Sequence, residues 1–169
     1  MTADGSRDST RFEQFARAYQ RRLYRTAYLL CGDAESARDL TQTTLAKLFQ
    51  YWHRAGKADN PAAYARTVLT RTYLAERRRR LRDFLAHSHV DAPPPSVGPE
   101  LTVTLLTALA ELPPRARAMV VLRYWEDLDV RTVAELLRCS ESTVKSQCSR
   151  SLATLRTRLG DPCLYATRT

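Results

Sequence analysis

DVRTVAELLRCSESTVKSQCSRSLATLRTR, residues 129–158, holds two helical patterns on either side of a tight break. In the first, Val130, Val133, Ala134 and Leu137 fall at helical spacing. Arg138, Cys139 and Ser140 interrupt it. In the second, Val144, Cys148, Leu152 and Leu155 make one apolar stripe at steps of four, four and three. Ser140 stands where an N-cap is wanted, since its hydroxyl can accept a free amide of the next turn. Between the stripe positions lie Ser142, Thr143, Lys145, Ser146, Gln147, Ser149 and Arg150. These residue types hydrogen-bond base edges and phosphates. The pattern is that of a helix-turn-helix, with residues 141 to about 157 as its recognition helix. An ordinary helical hairpin with a solvated face shows the same spacing, so the rest of the chain has to decide.

Charge points to a nucleic acid. The 169 residues hold 27 Lys+Arg against 18 Asp+Glu, a formal net charge of +9. Such an excess attracts polyanions by releasing their counterions. Arginine dominates, because Lys47, Lys57 and Lys145 are the three lysines. The length suits one or two small domains. Few glycines and abundant alanine and leucine favour helix. No apolar run approaches the roughly 20 residues of a membrane span. The opening MTADGSRDST lacks a signal peptide's apolar stretch, so a cytoplasmic location is expected. Cys31, Cys139, Cys148 and Cys163 form no C-x-x-C pair and have no histidine close in sequence, which argues against zinc. Cys148, on the apolar stripe, reads as a small core residue, with a redox sensor as the alternative.

Taken in order, residues 1–10 read as a disordered leader. From Arg11, Phe12, Phe15, Ala16, Tyr19, Leu23, Ala27 and Leu30 recur along one long amphipathic helix that stops at Gly32. A second helix follows Asp33, with Glu35 in its first turn to suit the dipole. Its core face is Ala37, Leu40, Thr44, Leu48 and Trp52. Asp39, Gln42, Leu45 and Phe49 lie on another side, so the helix either packs on a partner as well or is buried on both faces. HRAGKAD (53–59) reads as a polar connection, and Asn60-Pro61 opens a third helix. Tyr64, Val68, Leu69 and Thr72 begin its apolar stripe, which shifts at Glu76 to Tyr73, Leu74 and Leu81. Arg66, Arg71, Arg77, Arg78, Arg79, Arg80 and Arg82 fill the other side. Guanidinium groups interleaved with Tyr64 and Tyr73 suit a single strand, cations for phosphate and rings for bases. A merely solvated basic helix is the bland alternative.

AHSHVDAPPPSVGPE (86–100) excludes helix through its prolines and reads as an extended linker. Beyond it, Leu101, Leu105, Ala108, Leu109 and Leu112 mark one helix. Pro113-Pro114 starts the next, with Ala118, Val121, Leu122 and Trp125 as its inner face. The expected fold is all-α, with two small helical domains joined by an extended Pro-rich linker. Its expected boundaries are a leader 1–10, a first domain 11–85, a linker 86–100, a second domain 101–159 and a loose tail 160–169.

Four stretches of this chain carry a family resemblance. RLYRTAYLLCGDAESARDLTQ (22–42) resembles sigma-factor regions 2.1–2.2, and NPAAYARTVLTRTYLAERRRR (60–80) resembles regions 2.3–2.4. LAELPPRARAMVVLRYWEDLDVRTVAELL (109–137) resembles region 4.1 entering 4.2, and CSESTVKSQCSRSLATLR (139–156) resembles the region 4.2 recognition helix. In this order, split by a proline-rich stretch, they resemble a bacterial RNA polymerase sigma factor of the extracytoplasmic-function type in the sigma-70 family. The likeness is closest to an actinobacterial sigma-E-like subgroup.

The resemblance implies functional surfaces. Asp39, Leu40, Gln42, Leu45 and Phe49 are the expected dock for the coiled coil of the β′ subunit of core RNA polymerase, and the β flap is a second expected contact. Lys57, Asn60, Tyr64, Arg66, Arg71, Tyr73, Arg77 and Arg78 are expected to read and melt the −10 element, with a flipped base captured. Ser142, Thr143, Lys145, Ser146, Gln147 and Arg150 are expected to read the −35 element in the major groove. Promoter DNA, core polymerase and an anti-sigma factor are the implied partners. No catalytic residue, metal or cofactor is expected.

Three positions depart from the family's usual pattern. Arg71 stands where Asn is usual, Arg138 where Gly commonly sits in the turn, and Gln147 where a basic residue is frequent. The promoter sequence is therefore not carried over. A stand-alone helix-turn-helix regulator is the main alternative, but it leaves the Asp39–Phe49 face and the arginine-rich helix without purpose. An enzyme such as a recombinase would need a Ser/Arg/His cluster, a metal set or a phosphate loop, and the sequence offers none.

Overall fold

The computed structural model describes residues 3–86 and 100–160. The expected linker (87–99 of it) and the tail beyond Gly160 lie outside the described residues, as do Cys163 and the side chain of Leu101. The helices are α1 (Ala3–Cys31), α2 (Ala34–Gln50), α3 (Trp52–Ala55), α4 (Pro61–Ala86), α5 (Glu100–Ala110), α6 (Pro114–Val120), α7 (Val130–Leu137) and α8 (Glu141–Leu159). A π-helical turn, Val121–Trp125, continues α6. No strand occurs among the described residues. Contacts gather into two compact units, one holding α1 as far as Tyr28 with α2, α3 and α4, the other holding α5 to α8.

In the first unit, α1 buries Leu23, Thr26 and Ala27, while α2 buries Ala37, Leu40, Thr44 and Leu48. Helix α2 packs along α4, which contributes Ala65, Leu69 and Tyr73. Lys47 Nζ ties the two together by donating to Thr72 Oγ1 at 3.1 Å. The rings of Phe12 and Phe15 close on Trp52 at 5.3 and 5.1 Å. Gly56 permits this corner, since a Cβ there would fall 2.9 Å from the Trp52 indole. Two sequence expectations are corrected here. Residues 3–10 belong to α1 rather than to a disordered leader. No proline intervenes before the packed turns, and once a helix is nucleated each added residue costs little. His53 to Ala55 likewise form part of α3 rather than a plain connection, because Ala55 is buried.

In the second unit, Ala108, Leu109, Leu112, Ala116, Val120 and Leu155 form a core against which Leu152 and Leu159 pack. Helix α8 lies against α5, α6 and α7. Arg158 Nε pairs with Glu111 Oε2 at 2.6 Å and pins its last turn. The expected inner face of the helix after Pro114 needs one correction: Trp125 is 48 % exposed. The cause is the π turn, in which Glu126 N–H reaches back to Val121 O at 3.0 Å. The wider π turn changes the angular step between residues, so Trp125, its last residue, falls off the α-helical stripe. Leu81 in α4 is also exposed rather than core-facing, because α4 runs on past the helices it packs against.

The turn between α7 and α8 is a Schellman-type stop. Arg138 N–H donates to Glu135 O at 3.3 Å and Cys139 N–H to Ala134 O at 3.0 Å. Arg138 sits at φ 53°, the left-handed region that glycine usually occupies. Holding a side chain there costs about 1–2 kcal/mol, while glycine gives the unfolded chain about 0.4–1 kcal/mol more conformational freedom. Arg138→Gly is therefore expected to stabilise the protein by about 0.5–1 kcal/mol, read as a higher denaturant midpoint at unchanged slope. A lowered midpoint would show that the arginine is not strained.

Candidate nucleic-acid and protein interfaces

The best-built surface is the helix-turn-helix. Asp129 caps α7 by accepting Thr132 N–H at 2.7 Å. The same bond holds the Asp129 carboxyl below the ordinary carboxylate range, Thr132 being the main cause and Arg123 a minor one. Ser140 caps α8 by accepting Thr143 N–H at 3.1 Å, with the Ser142 and Thr143 hydroxyls at 2.9 and 2.7 Å from its own. Both caps have extended backbone, as an N-cap requires. The buried line along α8 is Val144, Cys148, Ser151 and Leu155. This line turns Ser142, Thr143, Lys145, Ser146 and Arg150 outward, and all five are exposed. Gln147 differs from them: it is half-buried, donates to Ser151 Oγ at 3.3 Å and accepts from Arg150 Nη2 at 3.3 Å. Its amide orients Arg150 more than it faces solvent. Burial pushes the Cys148 thiol upward, with Arg123 opposing. A buried thiol held protonated suits a core residue better than a reactive one.

The second surface lies on α4 and the loop before it. Lys57 and Asn60 are exposed, and Asn60 Oδ1 accepts Ala63 N–H at 3.0 Å, so this side chain caps α4 while Pro61 occupies the first helical position. Tyr64 is 38 % exposed and Arg71 and Arg78 stand outward, whereas Arg66 and Arg77 are half-buried. Arg78 Nε also reaches Leu74 O at 3.4 Å. Tyr73 has to be moved off this surface: at 2 % exposure it belongs to the core, at the step of four that follows Ala65 and Leu69. The arginines gather without it, with Arg79, Arg80 and Arg82 all exposed. Sequence reasoning missed that Phe84 and Leu85 are exposed beside them, as Leu81 is.

The third surface is the outer side of α2. Asp39 and Gln42 are exposed and Phe49 is 55 % exposed, its ring 5.1 Å from that of Phe12. Leu45 is almost covered, and Leu40 is 0 % exposed. Leu40 is therefore core and leaves the docking surface, because it is buried on α2 with Ala37, Thr44 and Leu48. Tyr124 and Trp125, exposed within the π turn, and Asp127 at φ 52° had no clear sequence signal. Among the described residues no group of three or more His, Cys, Asp or Glu could hold a metal ion. No described helix is long and apolar enough to cross a membrane.

Comparison with known proteins matches both halves of the chain. Residues 15–83 match the family model for sigma-70 region 2, and residues 102–155 match that for sigma-70 region 4. The RNA polymerase sigma-E factor of Streptomyces coelicolor is 33 % identical over 151 residues, which cover 88 % of this chain and 85 % of that protein. The extracytoplasmic-function sigma factor SigM of Mycobacterium tuberculosis is 30 % identical over 168 residues, 95 % of this chain and 83 % of that one. Among solved structures, the sigma factor RpoE in complex with the anti-sigma factor NepR from Bartonella quintana superposes with a TM-score of 0.77. That match covers 88 % of this chain and 96 % of the other at 23 % identity, a likeness of fold.

Proposed function

Since the chain belongs to the sigma-70 family of RNA polymerase sigma factors, in the extracytoplasmic-function class, binding core polymerase and directing it to promoters, we propose how its surfaces divide that work. The exposed part of α2, Asp39, Gln42 and Phe49 with the edge of Leu45, docks on the coiled coil of the β′ subunit. The basic side of α4, Tyr64, Arg66, Arg71, Arg77 and Arg78, with Lys57 from the loop before it, holds the melted −10 strand. Binding the open strand offsets the cost of unpairing, so the chain itself makes and breaks no covalent bond. Asn60, exposed at the start of α4, caps the helix through Oδ1 and offers its amide nitrogen to the same strand. The exposed residues of α8, Ser142, Thr143, Lys145, Ser146 and Arg150, read the −35 element, with Gln147 aiming Arg150. The β flap and an anti-sigma factor complete the proposed partners, the latter covering the DNA-reading faces, and the cytoplasm is the proposed location.

The observation that carries this reading is the outward row on α8 behind a capped turn, on a chain that also matches region 2. The test is run-off transcription from a pool of promoter fragments with core polymerase, with and without the full chain. Discrete start sites that appear only when the chain is added are the expected result. A chain that binds duplex DNA unaided but neither associates with core nor selects starts would overturn the reading in favour of a stand-alone regulator. Within it, Arg150→Ala is expected to weaken holoenzyme binding to the −35 element by about 1–3 kcal/mol and to relax preference at one base. Unchanged affinity across all −35 variants would remove Arg150 from the readers.

A further inference from the structure

We propose that Arg123 and Arg156 face each other across a cleft on one flank of the recognition helix that grips a backbone phosphate of the duplex at the edge of the −35 element. The inference rests on the −35 reading above and extends it to residues outside the base-reading row. A shallow groove of about 330 Å³ runs between the π turn and α8. Arg123, Tyr124, Lys145, Ser149 and Arg156 form its walls, over a floor that includes Val144 and Cys148. Three of its lining residues are cations and none is an acid. Cations above an apolar floor attract an anion more strongly than the same charges spread over open surface.

Arg123 is already held in place: its guanidinium donates to Leu128 O and stacks 5.6 Å from the centre of the Tyr124 ring. A pre-ordered arginine loses less side-chain freedom on meeting a phosphate. Lys145 and Arg156 stand exposed on the same flank of α8. Arg156 lies eleven positions beyond Lys145, which at 1.5 Å per residue is about 16 Å along the helix. The major groove is about 12 Å wide. With the first turns of α8 against the bases, Arg156 comes out at the strand bordering the groove and not at a base edge. Arg123, on the other wall, closes on the same strand. A contact of this kind fixes the register of the helix on the duplex and carries no sequence preference of its own.

The test uses the full chain assembled with core polymerase, on a promoter fragment it selects, with Arg156→Ala and Arg156→Lys. Affinity is measured over a salt series, and contacts are mapped by phosphate-ethylation interference. For Arg156→Ala the slope of log affinity against log salt should become shallower by about one. Interference at a phosphate bordering the −35 element should vanish, while single-base changes inside the element cost what they cost the unaltered protein. Arg156→Lys should restore the slope. An unchanged slope and footprint would overturn the proposal, as would altered base preference, or weakened association with core at unchanged salt dependence. If the unaltered holoenzyme makes no contact at all at −35, the underlying reading fails and this proposal falls with it. A −35 footprint indifferent to Arg156 sinks the cleft alone.

Discussion

Leu40→Ala is expected to destabilise the first unit by about 2–5 kcal/mol, the usual cost of emptying a fully buried leucine site. In a domain of this size that is a fall in melting temperature of about 8 °C or more. Leu40 is wholly covered, on the α2 face shared with Ala37, Thr44 and Leu48 and turned toward the packing with α4. Gln42, two positions on, is exposed. Gln42→Ala should leave stability within about 0.5 kcal/mol, as surface changes usually do, yet weaken the complex with core polymerase. Leu40→Met, which keeps the volume, should cost less than about 1.5 kcal/mol and leave core binding intact. Melting by circular dichroism beside a core-binding titration separates the two roles. If Leu40→Ala melts normally but fails to bind core, Leu40 is a contact residue and its burial has been misjudged. If Gln42→Ala binds core as tightly as the unaltered protein, the α2 face is not the dock.

The parts of the fold that were legible in the sequence are those set by short-range rules. Ser140 caps α8 and Asn60 caps α4 because the polar side chain and the backbone amide it accepts are three residues apart, within one turn. Of the stripe Val144, Cys148, Leu152 and Leu155, three are buried as the spacing demands, while Leu152 is half-buried and the neighbouring Ser151 is covered instead. Arg138 in the left-handed region follows from its place in the turn. Legibility failed where a neighbour in space decides. Leu40 and Tyr73 each carried two readings, core and surface, and one sequence cannot choose between them without knowing that α2 and α4 face each other. The run Ala65, Leu69, Tyr73 at steps of four was the available signal for Tyr73. The π turn has no local cause visible in VLRYW, and Trp125, its last residue, stands outward. Leu81 kept helical spacing and still ended in solvent, because periodicity says which side of α4 is apolar but not where its neighbours stop.

Tyr73→Ala and Tyr64→Ala should part company in the same way, and more sharply. Both are tyrosines on α4, nine positions apart, and composition alone makes them equal candidates for stacking on a base. Tyr73 is 2 % exposed, so its removal should cost about 3–5 kcal/mol of stability, the range for truncating a large buried ring. Against a total stability of about 5–15 kcal/mol, that leaves a large fraction of the protein unfolded on mild heating. Tyr64, at 38 % exposure, has a ring face available to a partner. Tyr64→Ala should melt close to the unaltered protein, and lose about 1–3 kcal/mol of single-strand binding if a base stacks on it. Permanganate reactivity of thymines in the −10 element, followed over time on the holoenzyme, reads that loss as slower opening. Normal opening by Tyr64→Ala would take the ring out of the −10 surface and leave the strand to the arginines. A Tyr73→Ala protein that melts normally but opens slowly would reverse the assignment, because a ring that can be deleted without cost was never part of the packing between α2 and α4.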